Sequence, residues 1–509
     1  MNSAKKIAKA TTMIMIITLI SKVFGFARET IIARYFGGGM EADAYFMALS
    51  IPTLLFASIG ASISTTFIPL YTQLLNVDGR RVANTFANNI INIISMICFA
   101  LLILGIIFSP NLVNLLAPGF SGEIYDLTVN ITRILFLCSI FNMLTSIFAG
   151  ILQSNESFLG PALVGFPYNI AIILGCIFFA KHYGVYALTI ATLIGTMGQV
   201  LIQIFFIKGR YSYEVIINFK DPYVKKLLIL VIPVLIGSAI GQINTIVDKA
   251  LASNLEQGSI SAINYSNRLI GFVQGIFISS VITVIYPFFS QLSVREDYDD
   301  LNEYISSSIN VFTMIMLPIT IITVLYSSDI VSVVFERGEF MKRDVELTAF
   351  SLAFRALGFL PLAIRQVFNR AFYAMQDTQT SMINGAIAVL VNIVADILLV
   401  KNLQVGGLSL ATSLSYFASV IFFLISWKKV MHCSISDIID FKGIGKLILS
   451  SILFFFIIWM FNVKGIHLFI TIILGGSIYI AILWLFGAKE LKVASSYIAN
   501  RFLNKNTKD

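Results

Sequence analysis

Residues 21–55 read SKVFGFARETIIARYFGGGMEADAYFMALSIPTLL. Apolar side chains run on either side of the three-glycine break at Gly37, Gly38 and Gly39, as expected of two membrane-length helices joined by a turn. The anomaly is charge. Lys22, Arg28 and Glu29 fall inside the first run, where a lipid-facing charge costs roughly 2.5–3.5 kcal/mol even on a lenient insertion scale. Lys22 and Glu29 share a helix face, Arg28 lies about 100° round the same turn, and Gly25 between them permits close packing or a bend. Two readings fit: a polar cavity, or snorkelling side chains plus one local ion pair.

The rest of the chain makes this helix one of many. Of 509 residues, 57% are hydrophobic and only 12% are charged, about half the charge of a soluble domain. Such a chain cannot cover a globule with polar groups, which excludes a soluble enzyme, a secreted disulfide scaffold and a disordered chain. At about 20 apolar residues per crossing, the apolar residues suffice for fourteen spans. The expected fold is an all-α polytopic membrane protein with fourteen transmembrane helices. Their limits are 10–33, 42–74, 83–109, 127–152, 160–180, 185–207, 225–251, 258–291, 305–326, 347–374, 380–400, 406–427, 444–461 and 466–486. Residues able to do covalent chemistry are sparse. Cys98, Cys138, Cys176 and Cys433 form no C-x-x-C pair, and His182, His432 and His467 are not grouped at ligand spacing. No Walker A loop, G-x-S-x-G elbow or H-E-x-x-H helix is present. Transport, with no enzymatic step, is the expected class.

Orientation follows from the basic residues. Lys5, Lys6 and Lys9 precede the first run, which lacks a small-residue cleavage site and reads as a retained span. Placing both termini in the cytoplasm puts 20 Lys/Arg on that side, including Lys492, Arg501, Lys505 and Lys508, against eight outside. The net charge of +8 therefore reports topology and needs no nucleic-acid partner. A weak repeat at an offset of 219 residues aligns Glu29 with Asp248, Ala33 with Ala252, Gly39 with Gly258 and Phe46 with Tyr265. It suggests two pseudo-symmetric six-helix lobes, an N-lobe over 1–220 and a C-lobe over 221–430, followed by two further helices and a cytoplasmic tail over 431–509.

Other intramembrane charges divide into two chemistries. Arg268 in the eighth span has no acidic residue within a helical turn, and its planar fork suits phosphate oxygens or an interhelical bond to a carbonyl or to Glu29. Arg28 and Arg268 together suggest a cationic cavity for a phosphate-bearing anion. Arg133, Arg355, Arg365 and Arg370 lie nearer span ends, where snorkelling is cheap. Asp248, Asn392, Asp396 and Thr412 offer hard oxygen donors for Na⁺ or, if a carboxylate titrates, for protons. Asn392 and Asp396, spaced i and i+4, face one way; pairing of Asp396 with Lys249 is the competing reading. The run Glu296, Asp297, Asp299, Asp300 and Glu303 lacks calcium-loop order and reads as a solvated helix start.

At these residues the chain resembles the MurJ (MviN) lipid II flippases of the multidrug/oligosaccharidyl-lipid/polysaccharide (MOP) exporter superfamily. The resemblance covers nearly the whole chain and is carried by residues 21–55, then SAINYSNRL (261–269) and VITVIYPFFSQLS (281–293). VVFERGEF (333–340), FYAMQDTQTS (372–381) and GGLSLATSLS (406–415) follow in order. It implies a MATE-like core in the bacterial cytoplasmic membrane that exports lipid II, the undecaprenyl-pyrophosphate-linked peptidoglycan precursor, by alternating access. The family's cationic cavity residues fall on Arg28, Glu29, Lys22 and Arg268; the neighbouring Asn267 is acidic in some relatives. Its sodium ligands fall on Asp248, Asn392, Asp396 and Thr412, with a main-chain carbonyl at Leu408, so the implied coupling ion is Na⁺ and no tightly bound cofactor is expected. Implied partners are lipid II, membrane lipids and the cell-wall synthesis machinery, and the last two helices would line a groove for the polyprenyl tail. One departure is Phe56, at a position basic in some members. Rival readings are a flippase for another polyprenyl-linked glycan, a cation-coupled drug exporter and a non-transporting scaffold of the division machinery.

Overall fold

A computed structural model describes residues 2–489 and 491, and the described secondary structure is helical. Lys492, Arg501, Lys505 and Lys508 lie outside the described residues, as do the side chains of Lys5, Lys6 and Lys9. Among the described residues, ten helices are long and apolar enough to cross a membrane, or eleven when one bent pair counts as a single span. The chain packs as two compact units: Met1–Ser261 with Phe335–Asp344, and Ala262–Val334 with Val345–Asp509.

The first unit contains α1 (Asn2–Phe36), α2 (Met40–Val77), α3 (Arg80–Ile107), α4 (Ser109–Leu116), α5 (Glu123–Ser154), α6 (Leu159–Leu163), α7 (Gly165–Tyr183), α8 (Val185–Ile207) and α9 (Pro222–Ala252). Small residues set how closely these helices approach, as in membrane bundles generally. A Cβ at Gly175 on α7 would lie 2.4 Å from the Ala191 Cβ on α8, and one at Gly105 on α3 would strike the Phe136 ring on α5. Phe67 stacks on both Tyr71 and Phe86, with Gly150 of α5 against its edge. Helix α9, the first helix of the expected C-lobe, packs on α2 within this unit.

The segment 335–344 joins the first unit although residues 334 and 345 belong to the second. Its Glu339 N–H donates to the Arg34 carbonyl at 2.9 Å. Gly338 (φ +62) meets the backbone of Arg34 and Gly37 (φ +56) that of Glu339 so closely that a Cβ at either would lie 2.3 Å from a backbone oxygen. These turns require glycine for both conformation and space. Asp43 of α2, buried, accepts from the Gly258 N–H, the Ser261 N–H and the Ser261 hydroxyl, each at 2.7 Å.

The second unit holds α10 (Ser259–Val273), a π-helical turn at Gln274–Ile278, α11 (Ser279–Val294), α12 (Tyr298–Leu325), α13 (Ser327–Phe335), α14 (Lys342–Ala356), α15 (Phe359–Ala374), α16 (Thr378–Met431), α17 (Ile435–Ile438), α18 (Phe441–Val463) and α19 (Leu468–Leu485), apart from the end residues assigned to the first unit. Asp297 caps α12 by accepting from the Asp300 N–H, so the acidic run is a helix start. Helices α14 and α15 form the bent pair, at 47°. Helix α16 has 54 residues, about 80 Å at 1.5 Å per residue against a hydrocarbon core of about 30 Å. It is broken at Gln404 (φ 46, ψ −125). Asn384 Nδ2 donates to Ser426 Oγ at 3.3 Å and Asn392 Nδ2 to Thr412 Oγ1 at 3.5 Å, so its two arms run antiparallel. The expected spans 380–400 and 406–427 lie on those arms.

Three buried serines tie this unit together. Ser351 on α14 is hydrogen-bonded at 2.7 Å to Ser266 on α10 and at 2.7 Å to Ser409 on α16. Helices α18 and α19 pack through Leu447, Phe454 and Ile458 against Tyr479, Ile482 and Leu483, and both rest on Tyr326. Removing only the middle hydroxyl takes the partner from Ser409, while Ser266 keeps its bond to the Ile263 carbonyl at 3.0 Å; removing all three hydroxyls leaves none of them unpaired. Ser351→Ala is expected to destabilise the protein by ~1–3 kcal/mol, and the triple alanine variant by less; thermal unfolding in detergent gives the order.

Candidate functional site

Two glycines bring α1 and α7 together. A Cβ at Gly165 would sit 2.1 Å from Ser21 Oγ, and one at Gly25 would lie 3.8 Å from Asn169 Nδ2. At that approach the buried Asn169 bridges the helices, donating to the Ser21 carbonyl at 3.3 Å and accepting from Arg28 Nη1 at 3.0 Å. The other terminal nitrogen of Arg28 is ion-paired to Glu29 Oε1. The guanidinium carbon lies 5.1 Å from the centre of the Tyr168 ring, within cation–π range. Glu29 is buried and Arg28 nearly so. The pair is neutral overall, and interhelical bonds hold its cation, which makes burial tolerable. The local ion pair expected from the sequence is therefore present, but it is an internal polar cluster and not a snorkelling surface pair. Lys22 does not join it: its side chain is exposed and makes no hydrogen bond or ion pair among the described residues.

Asn169 and Tyr168 were not singled out by sequence. Their signal is an asparagine inside the apolar run GFPYNIAIILG (165–175), one turn from a glycine.

The remaining expected residues are distributed between the units. Arg268 is exposed and Asn267 half-buried on α10, in the second unit. Asn392, Thr412 and Leu408 are joined there: Asn392 reaches the Thr412 hydroxyl, which donates to the Leu408 carbonyl at 3.1 Å. Asp396, one turn beyond Asn392 on the same face, is fully buried. An amide, a hydroxyl, a main-chain carbonyl and a buried carboxylate are a donor set suited to a hard monovalent cation. Asp248 is buried near the end of α9 in the first unit, beside Lys249, whose ammonium donates to the Phe46 carbonyl at 2.8 Å.

Phe56 is buried and meets Phe136 edge-on at 6.5 Å, so an aromatic contact occupies this place in the first unit. Arg365 and Arg370 lie over the rings of Tyr416 and Tyr286 at 5.7 and 5.3 Å. Arg133 is exposed and reaches Asn130 one turn away.

Comparison with known proteins covers most of the chain. A family model described as lipid II flippase MurJ matches residues 32–489. A probable lipid II flippase MurJ of Buchnera aphidicola subsp. Schizaphis graminum is 29% identical over 509 residues, covering 95% of this chain and 98% of its own length. One from Treponema pallidum is 30% identical over 431 residues, covering 82% of this chain and 80% of its own. Among solved structures, a lipid II flippase MurJ in an inward closed conformation has a TM-score of 0.80 at 29% identity, over 93% of this chain and 98% of that one. An inward-facing multidrug resistance MATE family transporter of the MOP superfamily gives a TM-score of 0.67 at 13% identity, over 82% and 98%, a likeness of fold alone.

The Arg28 cluster makes a graded stability prediction. Asn169→Ala removes one bond to a charged group and is expected to cost ~1.5–3 kcal/mol. Glu29→Ala leaves a buried guanidinium without its carboxylate and should cost more, about 3–5 kcal/mol. Denaturation of the purified variants in one detergent tests the ranking; equal and negligible effects would contradict it.

Proposed function

This chain belongs to the MurJ family of lipid II flippases, and on that premise we propose how its residues carry lipid II from the cytoplasmic to the outer leaflet of the bacterial inner membrane. The proposed topology has fourteen spans, counting α14 with α15 as one, the arms of α16 as two, and adding α1 and α9 to the helices long and apolar enough by themselves, with both termini in the cytoplasm. The excess of Lys/Arg on that side supports it. The sequence repeat supports two six-helix lobes, 1–220 and 221–430, that alternate access, with 431–509 appended.

The observation that carries the residue-level reading is the Arg28 guanidinium, buried yet held at both terminal nitrogens by side chains that can exchange partners. Arg28 and Arg268 bind the pyrophosphate in this proposal, because a guanidinium fork matches phosphate oxygens in pairs. Glu29 occupies one side of the fork in the absence of substrate, so phosphate enters by displacing a carboxylate instead of meeting a bare buried cation. Asn169 and Tyr168 keep the guanidinium plane oriented throughout. Lys22 and Asn267 are secondary contacts to the head group. No covalent step is involved.

The polyprenyl tail stays in lipid beside α18 and α19. For α18, an apolar cavity of about 200 Å³ in the second unit supports this; it lies among α12, α15, α16 and α18 and is lined by Ile309, Leu317, Leu360, Ile364, Leu424 and Ile448 among others. Coupling uses Na⁺ held by Asp396, Asn392, Thr412 and the Leu408 carbonyl, with Asp248 completing the set. Bound Na⁺ would supply positive charge beside the buried carboxylates. It can favour one lobe arrangement only by binding that arrangement more tightly.

Arg28→Ala and Arg268→Ala are each expected to lower lipid II translocation in liposomes at least about tenfold, the equivalent of 1.4 kcal/mol, and to fail in rescuing cells depleted of their own flippase. Full rescue by correctly inserted variants would refute the cavity assignment. For the cation site, the wild-type protein should gain thermal stability with added NaCl relative to KCl, and Asp396→Ala should lose that difference. An undiminished sodium response in the variant would remove Asp396 from the site.

A further inference from the structure

Helix α3 carries four buried asparagines, Asn84, Asn88, Asn89 and Asn92, that the flippase reading does not use. All lie in the first ten residues of the expected third span. Asn84 accepts from the Tyr71 hydroxyl of α2 at 3.0 Å and donates to the Ser212 hydroxyl at 3.4 Å, and the partners of the other three are in the segment joining α8 to α9. Asn88 Nδ2 donates to the Ser212 carbonyl at 3.1 Å, Asn92 Nδ2 to the Ile216 carbonyl at 3.0 Å and Asn89 Nδ2 to the Asn218 carbonyl at 2.9 Å. The Asn218 N–H returns a bond to Asn89 Oδ1 at 2.7 Å. The Tyr213 hydroxyl donates to Asn92 Oδ1 at 2.6 Å, and the Tyr211 hydroxyl bonds Asn88 Oδ1. Burial pushes the Tyr211 phenol above its ordinary range, which keeps it a donor.

Residues 211–217 are neither helix nor strand, so an asparagine ladder does for this backbone what a neighbouring strand would do in a sheet. Non-helical backbone at the edge of a membrane needs such partners. The exposed apolar residues alternate in sequence with polar ones: Tyr213, Val215, Ile217 and Phe219 are 56, 77, 50 and 55% exposed, and Ser212, Glu214 and Asn218 between them are exposed too, Glu214 being the one acidic side chain in the row. Around this row Lys208, Arg210, Lys220, Lys225 and Lys226 are exposed and make no ion pair among the described residues. The nearby Asp221 carboxylate is taken up in capping α9. An apolar and aromatic row bordered by free cations has the composition of an interfacial anchor on an anionic leaflet. The row also continues the exposed apolar side of α8, where Leu201, Ile204 and Phe205 are uncovered.

We infer that residues 211–219 form an interfacial strap that binds anionic phospholipid of the cytoplasmic leaflet, with Val215 and Ile217 at the acyl boundary and the five cations on the phosphates. The inference rests on the proposed orientation, which puts this segment on the cytoplasmic side.

The test uses the full chain carrying Cys433→Ser, with Val215→Cys or Ile217→Cys spin-labelled in proteoliposomes. Oxygen and a water-soluble nickel chelate serve as relaxers in phosphatidylglycerol and in phosphatidylcholine vesicles. The expected result is oxygen-dominated accessibility in phosphatidylglycerol, a shift toward nickel in phosphatidylcholine, and loss of that lipid dependence in K208E/R210E/K220E. The milder K208Q/K220Q variant should weaken the dependence if the triple variant does not insert. Nickel-dominated accessibility in both lipids would overturn the strap and favour an aqueous protein partner. Reaction of the same cysteine with an impermeant maleimide from outside cells would instead overturn the orientation, a result read separately from accessibility.

Discussion

Hydrocarbon offers no hydrogen bonds, so each polar group that this chain buries must find its partner within the protein. Most of the architecture follows from how that requirement is met. Ser351 meets it with two hydroxyls from separate helices. Asn169 meets it by giving one bond to the Ser21 carbonyl and taking one from Arg28. The asparagines of α3 meet it by holding a stretch of chain that has no secondary structure of its own. In each case the polar group fixes which helices are neighbours, a choice that apolar contact alone leaves open because lipid tails are as apolar as leucine.

The same requirement gives the Arg28 cluster its chemistry. A lone guanidinium in this setting would be too costly to keep, and one bonded permanently on every side would bind nothing. The arrangement lies between these limits. A carboxylate neutralises the charge, an amide sets the plane and an aromatic face covers one side. In the proposed binding step the phosphate oxygens would exchange with those of Glu29, and selectivity would lie in how well they match.

The apolar runs of the sequence place an all-helical membrane chain; fourteen spans are expected from them, and among the described residues ten or eleven helices are long and apolar enough to cross a membrane. Charge scarcity decides the class, and the two spans 380–400 and 406–427 are separable in the sequence and lie on the two arms of α16 on either side of the break at Gln404. Arg28 and Glu29 stood out because ionised side chains are rare inside such runs. Asn169 did not, since an uncharged amide is cheap enough to pass as ordinary and its partner is 141 residues away. The strap at 211–219 was hidden for a related reason. Its apolar and polar residues alternate as in a strand, but the groups that bond its backbone sit on a helix more than a hundred residues earlier. Nor could a repeat at an offset of 219 residues foretell that α9 packs on α2, because symmetry relates sequences and says nothing of which surfaces touch.

The glycine-lined turn at 335–344 has a mechanical consequence. Because this short stretch is embedded in the first unit while its flanks belong to the second, the chain passes between the units at 261/262, at 334/335 and again at 344/345. The Glu339–Arg34 bond and the seat made by Gly37 and Gly338 hold the stretch to the first unit. A pull on the chain at either end of the stretch is therefore taken first by those contacts, which act as a clip between α1 and residues far along the sequence.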